Sequence, residues 1–109
     1  MLPVKQNSLW HKIFSELISG ETPTLVDFFA EWCGPCKTLK PILEDLKNKM
    51  GDDIKIVKID VDKNPGIAGT YQVQGVPTLI LFKNGQLKWR QSGVMRVKQL
   101  QEVIRQYAV

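Results

Sequence analysis

The chain has two cysteines in 109 residues, Cys33 and Cys36, set three positions apart in the run Trp32-Cys33-Gly34-Pro35-Cys36-Lys37. A disulfide between them closes a loop of only four residues, worth about 2 kcal/mol in the chain-entropy treatment, against about 4 to 5 kcal/mol for a loop of ~100 residues. That is a poor staple, so the spacing points to thiol–disulfide exchange. At the start of a helix, free amide groups and the macrodipole stabilise a thiolate on the first cysteine, and the thiolate is the nucleophile of the exchange. Gly34 permits a tight backbone there, and Pro35 suits the first helical turn, where its missing N–H costs nothing.

Two further charges stand where charge is costly. Asp27 interrupts the apolar run Thr24-Leu25-Val26-Asp27-Phe28-Phe29-Ala30, and Lys58 lies within Ile54-Lys55-Ile56-Val57-Lys58-Ile59-Asp60. A buried carboxylate must be paired, neutral or in use. From the residues alone, Asp27 is either a functional carboxyl or one whose side chain reaches a sheet edge or bound water. Lys58 is the odd charge in its strand, and the residues alone leave it snorkelling to solvent. A structural zinc site is disfavoured, because it needs four ligands and the chain offers two cysteines and one histidine, His11, which is expected on the surface of the first helix.

These residues need elements to hold them. Leu9, Trp10, Ile13, Phe14, Leu17 and Ile18 recur at helical spacing, with Asn7 or Ser8 as N-cap and Gly20 as stop. The run from Thr24 to Ala30 reads as a parallel strand covered on both faces, and Ile54 to Asp60 as a second of the same buried kind. Between them the cysteine motif opens a helix with the stripe Leu39, Ile42, Leu43, Leu46 and Met50, kinked at Pro41 and ended by Gly51. Asn64-Pro65 supplies an N-cap and first position for a short helix through Tyr71. Thr78 to Lys83, Asn84-Gly85 and Gln86 to Gln91 read as an antiparallel hairpin with a tight turn, in which Trp89 packs. Val97, Leu100, Val103, Ile104 and Tyr107 mark a final amphipathic helix. The result is an α/β fold in which the cysteines fall at the C-terminal end of a central parallel strand, where open α/β sheets place their sites.

A hydrophobic content of 43% is enough for one core in one domain, residues 1–109. The net charge of +4 raises the question of nucleic acid, but most lysines alternate with acids. Only Lys83, Lys88, Arg90, Arg96 and Lys98 lack acidic neighbours, a stretch better suited to selecting protein partners. No run approaches ~20 apolar residues and the N-terminus lacks a secretion pattern, so neither nucleic acid nor membrane is expected and the location is expected to be cytoplasmic.

The run from Asp27 to Lys37, with Pro41, Asp60 to Gly66, Gly75-Val76-Pro77-Thr78, Lys83-Asn84-Gly85 and Gly93, closely resembles the thioredoxin family over about Leu25 to Val103. The resemblance implies a thioredoxin fold, a central mixed sheet of four to five strands with helices on both faces. It also implies a disulfide reductase without cofactor, acting on disulfide-containing target proteins, re-reduced by thioredoxin reductase, and monomeric. Cys33, the more exposed thiol, would attack the target and Cys36 would resolve the mixed disulfide. Asp27 would lie beneath Cys36 and accept its proton, with Lys58 moderating that carboxyl. The Val76–Pro77 bond would be cis and the backbone of Val76 would pair with an extended target segment. Trp32, Gly34, Pro35, Gly75, Val76, Pro77 and Gly93 would surround Cys33 as a low, apolar surface. Phe29 departs from the family's usual Trp and removes an indole N–H. The runner-up readings are an oxidase or isomerase of an exported compartment, or a non-catalytic subunit with this fold.

Overall fold

Apolar strands that alternate without polar relief must be covered on both faces, and the computed structural model shows how. It describes residues 2–109, with side chains from Leu9 onward. In chain order the elements are α1 (Leu2–Ile18), β1 (Thr24–Phe29), α2 (Gly34–Met50), a 3₁₀ turn (Gly51–Asp53), β2 (Lys55–Asp60), α3 (Pro65–Thr70), β3 (Thr78–Lys83), β4 (Gln86–Ser92) and α4 (Val97–Tyr107). The strands form one four-stranded mixed sheet in the order β2-β1-β3-β4. β1 runs parallel to β2 and antiparallel to β3, and β3 runs antiparallel to β4. The lower bound of the expected four to five strands is met.

Strand periodicity divides the core in two. Leu25, Leu79 and Leu81 meet Leu39, Leu43 and Leu46 of α2 and Leu100 and Ile104 of α4. Val26, Phe28, Ile80 and Phe82 point the other way, onto Phe14 and Ile18 of α1 and Ile67 of α3. Tyr71 closes this second layer, its ring 5.4 Å from that of Phe82 and 5.6 Å from that of Phe14. Asn84 and Gly85 turn the hairpin with φ of 54° and 77°, the left-handed pair that a two-residue turn demands. Their amides reach back to the end of α1: Asn84 N–H donates to the carbonyl of Gly20 and Gly85 N–H to that of Ile18, each at 2.9 Å. A bulge between Leu81 and Phe82 follows, because Trp89 and Leu87 are their successive partners and Lys88 has none.

Three expectations are corrected. Asn7 and Ser8 do not cap α1 but lie inside it, because the helix begins at Leu2 and takes Pro3 in its first turn, where no N–H is lost. β2 is not buried like β1: it is an edge strand, partly exposed at four positions and open at Lys58. Asn64 occupies the N-cap position of α3 without capping it, since its side-chain amide donates to the carbonyl of Asp60 at 3.0 Å. The helix α2 runs unbroken through Pro41 and is ended by Gly51 at φ 55°, and Trp89 packs against the α2 and α4 layer as expected. Among the described residues, no helix is long and apolar enough to cross a membrane.

Leu79 lies on central strand β3 with no exposed surface and contributes to the α2 and α4 layer. Leu79→Ala is expected to lower stability by about 2 to 5 kcal/mol through lost transfer energy and the cavity left behind, read from urea unfolding with an unchanged slope.

Candidate active site

The site is built where β1 hands over to α2. Cys33 sits at the N-cap of α2 with extended backbone, φ −89° and ψ 114°. Its Sγ accepts the N–H of Cys36 at 3.1 Å, the bond that a serine or aspartate oxygen makes at most helix starts. Pro35 occupies the first turn, and the N–H of Cys33 is held by the carbonyl of Ala30 at 3.2 Å. Cys33 and Cys36 are joined as a disulfide, their Cα atoms 5.3 Å apart.

Cys33 is not the more exposed of the two. Both are buried, at 4% and 6% exposure, because Phe29, Val61 and Val76 close over them. Trp32, by contrast, stands 71% exposed beside them. Gly34, Pro35 and Gly75 are exposed, Val76 and Gly93 are half-buried, and Pro77 is buried beneath its neighbours rather than part of the open surface. Val94, 41% exposed next to Gly93, adds an apolar residue that sequence reasoning missed. The Val76–Pro77 bond is cis. Its loop is tied down by Gly93 N–H to the carbonyl of Pro77 at 2.9 Å and by Thr78 Oγ1 to that of Gly75 at 2.6 Å.

Behind the disulfide, Asp27, Phe29, Cys36, Lys37, Lys40 and Lys58 line a cavity of about 410 Å³. Asp27 is 2% exposed, and its Oδ1 has no hydrogen-bond partner among the described residues. It therefore does not reach the sheet edge. Burial pushes its pKa from 3.8 to about 6, and the charge of Lys58 pulls it part of the way back. The parallel register makes this pairing, because Asp27 lies opposite Lys58. Lys58 is open to solvent, and its charge still lowers the pKa of the carboxyl. Phe29 packs beside the cysteines, keeping the bulk expected of the position without an N–H.

Asp62 was also missed. It accepts the indole Nε1–H of Trp32 at 2.8 Å and fixes a ring that is otherwise largely in solvent. The acidic pair Asp60 and Asp62 just past a parallel strand was the available signal: β2 ends beside β1, and Asp60 Oδ1 accepts the N–H of Asp62 at 2.9 Å. His11 lies exposed on α1, as expected.

The sequence model of the thioredoxin family matches residues 5–106. A thioredoxin-like protein of Synechocystis is 50% identical over 88 residues, covering 80% of this chain and 84% of that protein. The thioredoxin of Bacillus subtilis is 45% identical over 89 residues, covering 82% and 86%. Among solved structures, mitochondrial thioredoxin 3 of Saccharomyces cerevisiae in its oxidised form superposes with a TM-score of 0.79 at 37% identity, over 87% of this chain and 88% of that one.

The displaced pKa of Asp27 links the site to stability. The folded state holds its proton to higher pH than the unfolded state does, so the stability that Asp27 contributes is fully present below about pH 4 and is lost as pH rises through about 6. A shift of roughly two units corresponds to about 3 kcal/mol. Asp27→Asn is expected to be more stable than the wild type at neutral pH, by up to that amount, with the difference shrinking towards pH 4. Urea unfolding across this range checks it, and a difference independent of pH would contradict it.

Proposed function

The chain belongs to the thioredoxin family and is a thiol–disulfide oxidoreductase that reduces protein disulfides, and from that premise we propose how its residues divide the work. Cys33 is the attacking thiol. The observation that carries this is the N-cap bond: the sulfur of Cys33 accepts the Cys36 amide at the N-terminus of α2, where negative charge is favoured.

In the dithiol form, the Cys33 thiolate attacks one sulfur of a target disulfide. An S–S bond forms between Cys33 and the target, and the departing target sulfur leaves as a thiolate that takes up a proton. Cys36 then loses its proton to Asp27, the carboxyl on the wall of the same cavity. A carboxyl with its pKa raised to about 6 is matched to that transfer near neutrality. The Cys36 thiolate attacks Cys33, the Cys33–Cys36 disulfide forms, and the second target sulfur leaves as a thiolate. Two electrons have passed to the target, whose two thiolates take up one proton from water and the one that Asp27 received from Cys36. Lys58 keeps the carboxyl from rising further and so preserves its capacity as a base.

Trp32, Gly34, Pro35, Gly75, Val76 and Gly93 form the docking face, with Pro77 buried beneath it. The backbone of Val76 receives an extended target segment as an added strand, a mode largely indifferent to the target's side chains. We read residues 1–109 as one such domain, acting as a monomer in the cytoplasm. Thioredoxin reductase returns two electrons to the disulfide.

Cys36→Ser is expected to stall the reaction at the mixed disulfide, so that a disulfide-bonded protein such as insulin becomes covalently attached through Cys33. Non-reducing electrophoresis with peptide mapping reads this out. Absence of an adduct through Cys33 would sink the assignment.

A further inference from the structure

The loop that carries Val76–Pro77 is anchored at both ends by β4. At its far end, Gly93 N–H holds the carbonyl of Pro77 at 2.9 Å, and the hydroxyls of Thr78 and Ser92 bond at 2.9 Å. At its near end, the guanidinium of Arg90 spans two successive carbonyls: Nη1 donates to Tyr71 and Nη2 to Gln72, the latter at 2.9 Å. Arg90 is exposed and lies on β4 opposite Ile80 of β3.

The backbone it holds is unusual. Gln72 has φ 53°, a left-handed conformation that a non-glycine residue keeps only where its surroundings impose it. That turn ends α3 and redirects the chain towards Val76, with Val73 N–H closing onto the carbonyl of Ala68 at 2.9 Å. A planar fork of charged donors matches two adjacent carbonyls at the C-terminal end of a helix, where positive charge is favoured. A lysine supplies a point charge and cannot span both.

We propose that Arg90 is a positioning residue for target docking: by clamping the turn at Tyr71 and Gln72, it sets the register of the Val76 backbone against the incoming target strand. This rests on the reading of Val76 given above. Main-chain pairing needs its acceptor and donor held in place before the target arrives, so a loosened loop weakens protein targets and spares small disulfides that make no such pairing.

The test measures reduction of insulin and of hydroxyethyl disulfide by wild type, Arg90→Ala, Arg90→Lys and Pro77→Ala, with dithiothreitol as electron source. For Arg90→Ala, KM for insulin is expected to rise about three- to tenfold. Its kcat and the rate with hydroxyethyl disulfide should stay within about twofold, and Arg90→Lys should fall between Ala and wild type. An insulin KM within about twofold of wild type, or an equal loss on both substrates, overturns the inference. If Arg90→Ala fails to fold, Arg90→Lys decides by the same criterion. A raised KM in Pro77→Ala with none in the Arg90 variants leaves the docking reading standing and removes only the role of Arg90. A wild-type KM in Pro77→Ala removes the docking reading itself.

Discussion

Cys33 does at α2 what an oxygen does at most helix starts: it ends the helix and accepts an N–H that would otherwise go unpaired. Sulfur is a weak acceptor when neutral and a strong one when ionised, so the cap favours the thiolate. On the proposed division of work, the same bond that begins the helix selects which thiol reacts. It holds only because β1 delivers the chain to that point. β1 lies between two strands, all of its residues but Phe29 are fully covered, and it leads directly into α2. Packing of Leu25 and Phe28 thus reaches the chemistry through the backbone rather than through any contact with substrate.

The same strand carries the cost. Asp27 shares β1 with side chains that have no exposed surface, and its Oδ1 has no partner among the described residues. A carboxyl in that place weakens the fold near neutral pH, the exchange of stability that its proposed role as proton acceptor calls for. Lys58 tempers the penalty without cancelling it, because it stands on an edge strand, where water screens it.

What the sequence made legible was local or periodic. Asn84-Gly85 announced its turn because so few residue pairs accept left-handed backbone twice in succession. The cysteines could be placed because an apolar strand followed by Gly34-Pro35 leaves only one way into a helix. What stayed hidden depended on which parts meet in space. The apolar run of β2 reads the same at a sheet's centre or edge, and only the strand order decides. The cysteines are buried because Val61 and Val76 arrive from other parts of the chain. The bonds of Arg90 to Tyr71 and Gln72, and of Trp32 to Asp62, join residues that no spacing rule connects. The start of α1 was hidden for a different reason: Pro3 opens a helix as readily as it breaks one, and the sequence alone does not say which.

On the proposed division of work, the helix cap makes Cys33 the reactive thiol and leaves Cys36 in reserve. Limited alkylation of the reduced chain with iodoacetamide at neutral pH, followed by peptide mapping, tests it most directly. Cys33 is expected to be modified first and faster than free cysteine, with Cys36 untouched until later. Modification of Cys36 first, or of Cys33 no faster than free cysteine, would contradict it.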